Sequence, residues 1–218
     1  MTNTHVKVCG LTRRVDVAAA VGQGVWAVGF VMWPGSPRSV TLSQLRALTT
    51  DVPAGVKRVA VVVNPDEDDV KRWRDEAGLT TLQLHGGEEV APFLSLGMDV
   101  LKAVSLESEA DVERAAALPA EVMVLVDAHD PVRRGGTGER ADWIRAAALS
   151  RRRPVILAGG LRAENVQDAI AQVNPWGIDV SSGLESAPGI KDITKLENFF
   201  ALLRSHGTPG RTHGAPGL

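Results

Sequence analysis

The stretch VKRVAVVVNPDEDDVKRWRDEAG, residues 56–78, contains one complete strand-and-helix unit. Residues 56–63 are apolar nearly throughout rather than alternating, which favours a strand of a parallel sheet that helices cover. From Asp66 the chain is acidic at first, and it reaches Gly78 after an amphipathic run, which is the preferred polarity of a helix. The stretch therefore predicts one βα pair of a parallel α/β fold.

Units of the same kind recur along the chain. Runs that predict strands lie at 5–9, 25–31, 80–85, 99–105, 122–128, 154–159 and 176–182. Segments that predict helices lie at 13–21, 41–49, 87–97, 108–118, 139–149, 162–172 and 192–204. A count of about eight units predicts a single (β/α)8 TIM barrel, with an open doubly wound sheet as the alternative. The barrel is favoured because the composition does not change along the units and no G-x-G-x-x-G follows the first strand.

The composition excludes several classes of protein. The chain has 218 residues, a net charge of −2 and 44% hydrophobic residues, so no basic face for a nucleic acid is indicated. A single cysteine excludes an internal disulfide framework and a metal site built from several cysteines. With no signal peptide and no apolar run of roughly 20 residues, we expect a cytoplasmic protein that does not bind membranes.

We place the barrel at residues 1–205 and predict that the tail 206–218, rich in Gly and Pro, is disordered.

Two residues capable of acid–base chemistry stand at predicted strand ends, where barrel enzymes hold their active sites. A lone cysteine is more commonly a small buried thiol of the core. Cys9, however, ends the first strand, and this position adds weight to a chemical role. Asp127 follows the apolar run of the sixth strand. Partial burial there would raise its pKa and keep a transferable proton available nearer neutral pH.

Two further side chains are candidates for holding a ligand. Arg38 follows a loop with two prolines, and its guanidinium can grip a carboxylate with two parallel hydrogen bonds. It can equally be an ordinary surface arginine. His85 ends the fourth strand and should point the same way as Gln83, because side chains alternate along a strand.

Glycine and serine clusters at the ends of the last two strands predict a phosphate site. Gly159 and Gly160 follow the seventh strand, and Ser181, Ser182 and Gly183 follow the eighth. In barrels the loops after these two strands frequently bind a phosphate, because glycines let backbone amides approach an anion closely. The glycine-rich loop around Gly136 is interpreted as a segment that folds over a ligand.

Several stretches, in order along the chain, resemble the phosphoribosylanthranilate isomerase family of tryptophan biosynthesis. They are KVCGLT, GFVMWPGSPRSV, LQLHGGE, LVDA followed by GGTGERADW, LAGGLRAENV, DVSSGLE and PGIKDITKLENF. The resemblance spans roughly residues 6–204 and implies a (β/α)8 barrel that isomerises a phosphorylated sugar–anthranilate substrate without a cofactor or metal.

The resemblance also implies roles for individual residues. Cys9 corresponds to the general base and Asp127 to the general acid, while Arg38 corresponds to the partner of the anthranilate carboxylate. Asp179 helps to orient the ligand. The turns with Gly160 and Ser181–Gly183 correspond to the phosphate cradle.

Some positions depart from the family pattern, and other functions compete. The segment before SPR often contains a Tyr and a Lys, whereas here it reads Met32-Trp33-Pro34-Gly35; Ala141 stands where a Phe is common, and Ala163 where a Pro is common. The competing functions are a histidine-pathway isomerase, which Cys9 disfavours, indole-glycerol-phosphate synthase, for which no suitable lysine stands at a strand end, and a non-catalytic sugar-phosphate-binding protein. For the oligomeric state we expect a monomer or a weak homodimer.

Overall fold

The computed structural model describes residues 4–127 and 138–205, with side chains from residue 143 onward in the second part. The predicted ligand loop with Gly136 and the tail 206–218 lie outside these residues, so both predictions stay untested. Likewise, the proposed domain boundary at residue 205 stays a prediction.

Eight parallel strands form a closed barrel in chain order, and the eighth pairs with the first. The strands are β1 His5–Val8, β2 Ala27–Val31, β3 Lys57–Val62, β4 Thr81–Leu84, β5 Asp99–Val104, β6 Val122–Asp127, β7 Val155–Ala158 and β8 Gly177–Val180. All eight predicted strands are present, and the predicted (β/α)8 barrel is confirmed. The open doubly wound sheet is excluded because β1 pairs with both β2 and β8.

One helix follows each strand of the barrel. The helices are α1 Arg14–Gly22, α2 Leu42–Thr49, α3 Glu67–Ala77, α4 Ala91–Leu94, α5 Glu109–Ala116, α6 Gly138–Ser150, α7 Val166–Val173 and α8 Ile193–Ser205. None of the helices in the described parts of the chain is long and apolar enough to cross a membrane.

The helices expected at 87–97 and 162–172 begin later than the sequence pattern predicts. The helix expected at 87–97 is only the single turn α4, with Pro92 in its first turn. The helix expected at 162–172 begins four residues later, because the side chain of Asn165 accepts a hydrogen bond from the backbone of Arg162 and closes a turn there. An unpredicted segment follows β8: a 3₁₀ turn at Ser182–Leu184 and a hairpin of β9 Glu185–Ala187 and β10 Ile190–Lys191.

The strands are apolar throughout because both of their faces are buried. The outer faces pack against the helices in one large core. The inner faces form two smaller clusters: Cys9, Val31 and Val61 on the side of β1–β3, and Leu101, Met123, Leu125, Ile156 and Ala158 on the side of β5–β7. The barrel interior is thus filled with side chains, and the available room lies at its C-terminal end.

The hairpin β9–β10 is fixed to the first helix by a buried carboxylate. Asp16, fully buried in the first turn of α1, accepts hydrogen bonds from the backbone N–H of Lys191 at 3.1 Å and from the guanidinium of Arg13. Thr12 donates to the carbonyl of Gly189 in the same hairpin. These bonds hold the segment after β8 against the segment after β1.

Asp16→Ala should destabilise the protein. The substitution leaves the buried N–H of Lys191 without its acceptor, which costs about 2 kcal/mol. Urea unfolding measures the loss. Asp51→Ala is the matched control, because Asp51 pairs with Arg14 of the same helix and both side chains are exposed. The control should leave the free energy of unfolding unchanged, and equal losses in the two variants would contradict the anchoring role of Asp16.

Candidate active site

A cavity of about 590 Å³ opens at the C-terminal ends of the strands, a size typical of small-molecule sites. Nine predicted site residues line it: Cys9, Arg38, His85, Asp127, Gly159, Gly160, Asp179, Ser181 and Ser182. Gly183 packs just behind the lining, and Gly136 lies outside the described residues. The closed barrel therefore gathers residues from both ends of the chain around one space.

Cys9 directly follows β1 and lies above a fully buried lysine. Lys7, two residues earlier on the same strand, donates a hydrogen bond from Nζ to Oδ2 of Asp179 at 2.9 Å. Gly29 on β2 leaves room for both side chains: a Cβ added there would lie 2.9 Å from Sγ of Cys9 and 3.1 Å from Nζ of Lys7. The thiol and the ammonium group therefore meet over the same glycine.

Burial and charge act on the Cys9 thiol in opposite directions. Burial raises its pKa, the positive charge of Lys7 lowers it, and the negative charge of Asp179 raises it again, with a net increase above the ordinary value. For Lys7, burial alone would lower the pKa, but the charges of Asp179 and Cys9 outweigh that effect and raise it. Lys7 is therefore a cation, and Cys9 is mostly a thiol at neutral pH.

Arg38 forms a two-pronged ion pair with a carboxylate that the sequence did not single out. Its Nε and Nη2 donate to Glu185 at 2.9 and 2.6 Å. Glu185 also accepts from the buried Lys191 at 2.8 Å. Burial would raise the pKa of Glu185, yet the bonds from Arg38 and Lys191 lower it, so two cations share one carboxylate and a positive charge is left over.

His85 and Asp127 face each other across the other side of the cavity. Nε2 of His85 lies 3.5 Å from Oδ2 of Asp127, whose side chain is 29% exposed. Nδ1 of His85 lies 3.4 Å from Nε2 of Gln83. If the amide of Gln83 donates to Nδ1, the proton of the neutral imidazole sits on Nε2 and points at Asp127. The prediction that Gln83 and His85 point the same way is confirmed, since both line the cavity.

The turns after β7 and β8, where the sequence predicts a phosphate site, lie against each other. Gly159 and Gly160 have φ of +93° and +59°, in the left-handed region that favours glycine. A Cβ at Gly183 would lie only 2.0 Å from the carbonyl oxygen of Leu161, so the close approach of the two turns requires a glycine there. Ser181 donates to the carbonyl of Cys9 at 3.0 Å, which ties this region to β1.

At the mouth of the cavity, a half-exposed indole lies over the loop after β2. Trp33 is 45% exposed and lines the cavity. A Cβ at Gly35 would lie 2.4 Å from the ring of Trp33, so the glycine allows the indole to lie flat against the loop.

The model of the family described as N-(5'-phosphoribosyl)anthranilate (PRA) isomerase matches residues 6–201 of this chain. The chain belongs to the phosphoribosylanthranilate isomerase family. The resemblance stated from the sequence is therefore confirmed, and so is the assignment to an isomerase family of tryptophan biosynthesis.

Relatives and solved structures of this family match the chain along nearly its whole length. The N-(5'-phosphoribosyl)anthranilate isomerase of Chromohalobacter salexigens is 41% identical over 202 residues, which are 92% of this chain and 94% of the relative. A phosphoribosyl anthranilate isomerase solved with reduced 1-(o-carboxyphenylamino)-1-deoxyribulose 5-phosphate has a TM-score of 0.81 at 33% identity, covering 93% of this chain and all of that one. Monomers made from the dimeric enzyme of Thermotoga maritima give 0.81 at 32% identity with the same coverage.

The sequence pattern alone assigned no role to four residues in or next to the site. Lys7 was detectable, because it lies two residues before Cys9 and strand alternation puts both on one face. Gly29, Glu185 and Lys191 gave no such signal. Their importance follows from contacts across the barrel closure and from a hairpin that the sequence pattern does not predict.

Gly29→Ala should disturb the site and the fold together. The added methyl group would lie too close to Cys9 and Lys7, and overpacking of this kind costs about 1–3 kcal/mol. Thermal and urea unfolding would measure the loss. Gly22→Ala is the control, because a Cβ there meets nothing within 4 Å. Unchanged stability in Gly29→Ala would mean that the sulfur and the ammonium group do not meet over this glycine.

Proposed function

We propose that this chain converts N-(5'-phosphoribosyl)anthranilate into 1-(2-carboxyphenylamino)-1-deoxyribulose 5-phosphate. The observation that carries the proposal is the cavity itself: a thiol and a carboxyl line the same space, between an arginine and the turns of the predicted phosphate site. The reaction is an acid–base isomerisation, and we assign it no cofactor or metal.

In the proposed mechanism Asp127 is the general acid. Its protonated carboxyl gives a proton to the ring oxygen of the ribose, the C1–O bond breaks, and the nitrogen lone pair forms a C1=N iminium. The Nε2 atom of His85, 3.5 Å away, orients this carboxyl. The remaining exposure of Asp127 allows it to regain a proton from solvent.

Cys9 is the general base in the second half of the reaction. The thiolate removes the proton from C2, and the electron pair of the C–H bond moves into a C1=C2 double bond while the iminium nitrogen becomes neutral. The resulting enolamine tautomerises to the ketone. Burial raises the pKa of the thiol, which makes the thiolate scarce but a stronger base, and the iminium compensates by acidifying the C2–H bond.

Arg38 is proposed to bind the anthranilate carboxylate. Its pairing with Glu185 does not exclude this role, because Glu185 also bonds to Lys191 and the group of three keeps a net positive charge. Glu185 fixes the plane of the guanidinium, and the donors that face the cavity remain available to a ligand. An ordered guanidinium loses less entropy when a carboxylate binds.

Asp179 is proposed to orient the ligand through its second oxygen. Oδ2 is bonded to Lys7, whereas the buried Oδ1 has no hydrogen-bond partner among the described residues. A buried acceptor without a partner is costly, and a hydroxyl or N–H of the substrate would satisfy it. The turns with Gly159, Gly160 and Ser181–Gly183, together with Gly136 outside the described residues, are proposed to hold the phosphate.

A cytoplasmic location, the absence of nucleic-acid and membrane partners, and a monomeric or weakly dimeric state remain predictions. The Thermotoga maritima relative is described as dimeric, which concerns that protein. Sedimentation of this chain over a range of concentrations would decide its own state.

Cys9→Ala and Asp127→Asn should each lower kcat severely, by about 10²- to 10⁴-fold, because each removes one proton-transfer group. The loss of phosphoribosylanthranilate fluorescence follows the reaction. Asp99→Asn is the control, since Asp99 begins β5 at the opposite end of the barrel and pairs with Lys57. A normal kcat in either folded site variant would refute the assigned pair.

Arg38→Ala should raise KM by about ten- to a hundredfold, which corresponds to the loss of a hydrogen bond between charged groups. The variant should lower kcat by less than this. Glu185 keeps its bond to Lys191 in this variant, so no buried charge is left alone. Arg46→Ala, which breaks a surface pair with Glu76, should leave both constants unchanged. A change confined to kcat would place Arg38 away from the carboxylate.

A further inference from the structure

We propose that Lys7 is a positioning residue of the isomerase: its ammonium group is shared between Asp179 and Cys9 and holds the thiolate form of Cys9 as the base. The inference deepens the proposed function and rests on it. The role belongs to a fully buried charge that lies beside the proposed base.

The position of Lys7 is the first argument. Lys7 lies two residues before Cys9 on the same strand, so both side chains face the barrel interior, and Lys7 is fully buried. A buried ammonium group is costly and needs compensating partners. One partner is Asp179, directly opposite across the pairing of β8 with β1. The other is the sulfur of Cys9, which meets the ammonium group over Gly29.

The surroundings of Cys9 are the second argument. The charged groups that act on it are Lys7 on its own strand, Asp179 on β8, Lys191 on β10 and Arg38 after β2. Lys191 and Arg38 both bond to Glu185. His85 and Asp127 line the far side of the cavity. Lys7 is therefore the cation placed to stabilise a thiolate, with Asp179 competing for it.

Because Asp179 and Cys9 compete for Lys7, substitutions of Lys7 and of Asp179 should shift the pKa of Cys9 in opposite directions. Without Lys7, burial and Asp179 both disfavour the thiolate, so Lys7→Met should raise the pKa of Cys9 by about one unit or more. Without the charge of Asp179, Lys7 acts on Cys9 alone, so Asp179→Asn should lower that pKa. Asp179 also acts on Cys9 directly, so Lys7→Met is the deciding variant: a lysine with a purely structural role would change stability but leave the pKa of Cys9 in place.

The chain is well suited to this measurement. Thiolates absorb in the far ultraviolet more strongly than thiols, and tyrosinate is the usual interference. This chain has one cysteine and no tyrosine. A titration of the purified protein followed by absorbance therefore reports Cys9, and Cys9→Ala supplies the blank.

Lys57→Met is the matched control. Lys57 pairs with Asp99 at 2.6 Å at the opposite end of the barrel, so its loss removes a lysine–aspartate pair without touching the cavity. The Cys9 titration should not move. Lys7→Arg keeps the positive charge, so the pKa of Cys9 in this variant should lie closer to that of the unaltered protein than in Lys7→Met.

The pH dependence of kcat connects the titration to catalysis. Since the base acts as thiolate, its active fraction rises about tenfold per pH unit below the pKa of Cys9. The rise in kcat should therefore move to higher pH in Lys7→Met, with activity recovering in alkaline buffer. If the thiol titration of Lys7→Met shifts but the pH dependence of its kcat does not, the result would support the pairing of Lys7 with Cys9. It would contradict the assignment of Cys9 as the base.

If Lys7→Met does not fold, the remaining measurements still decide. In the unaltered protein the Nζ resonance of Lys7 should shift with the same midpoint as the thiolate absorbance, and Asp179→Asn should lower that midpoint. A lysine resonance insensitive to the titration, or a midpoint that Asp179→Asn leaves unchanged, would overturn the proposal.

Discussion

The pairing of the last barrel strand with the first is the constraint on which the site depends. This closure puts Lys7 beside Asp179, two residues 172 positions apart in the chain, and joins them by a hydrogen bond of 2.9 Å. A buried ion pair of this kind is weak evidence for stability, because desolvation offsets most of its attraction. Its effect is geometric: an error in register would separate two buried charges, so the pair favours one alignment of β1 and β8, and with it the position of Cys9.

A second set of contacts fixes the rim of the barrel in the same region. Asp16 holds the hairpin of β9 and β10, the hairpin presents Glu185, and Glu185 orients Arg38. Each contact links a segment near the N-terminus to one near the C-terminus. Arg38 is therefore no ordinary surface arginine, because its bonds to Glu185 fix its guanidinium. Binding residues on loops become precise when contacts of this kind hold them.

The sequence predicted the strands and the strand-end residues well, because both depend on local patterns. Eight apolar runs identify eight strands, and the residue after each run must lie at the active end of a barrel, so Cys9, His85 and Asp127 could be named without coordinates. Glu185 could not, because its role depends on a hairpin whose two strands contain only five residues and carry no periodic signal. Gly29 was equally hidden: a glycine within a strand shows its purpose only when the side chains of the neighbouring strand are in place.

The charges around Cys9 support its proposed role as a base. Among the described groups that bear on it, Lys7, Lys191 and Arg38 are cations, while Asp179 and Glu185 are anions. The surplus positive charge attracts an anionic ligand before the reaction. When Cys9 is a thiolate, three anions face three cations and the group is neutral; when the thiol has taken the proton from C2, the surplus returns. The site therefore stays within one charge of neutrality through the proposed proton transfer. A third carboxylate in place of the thiol would be ionised at rest and would cancel the surplus positive charge of the group.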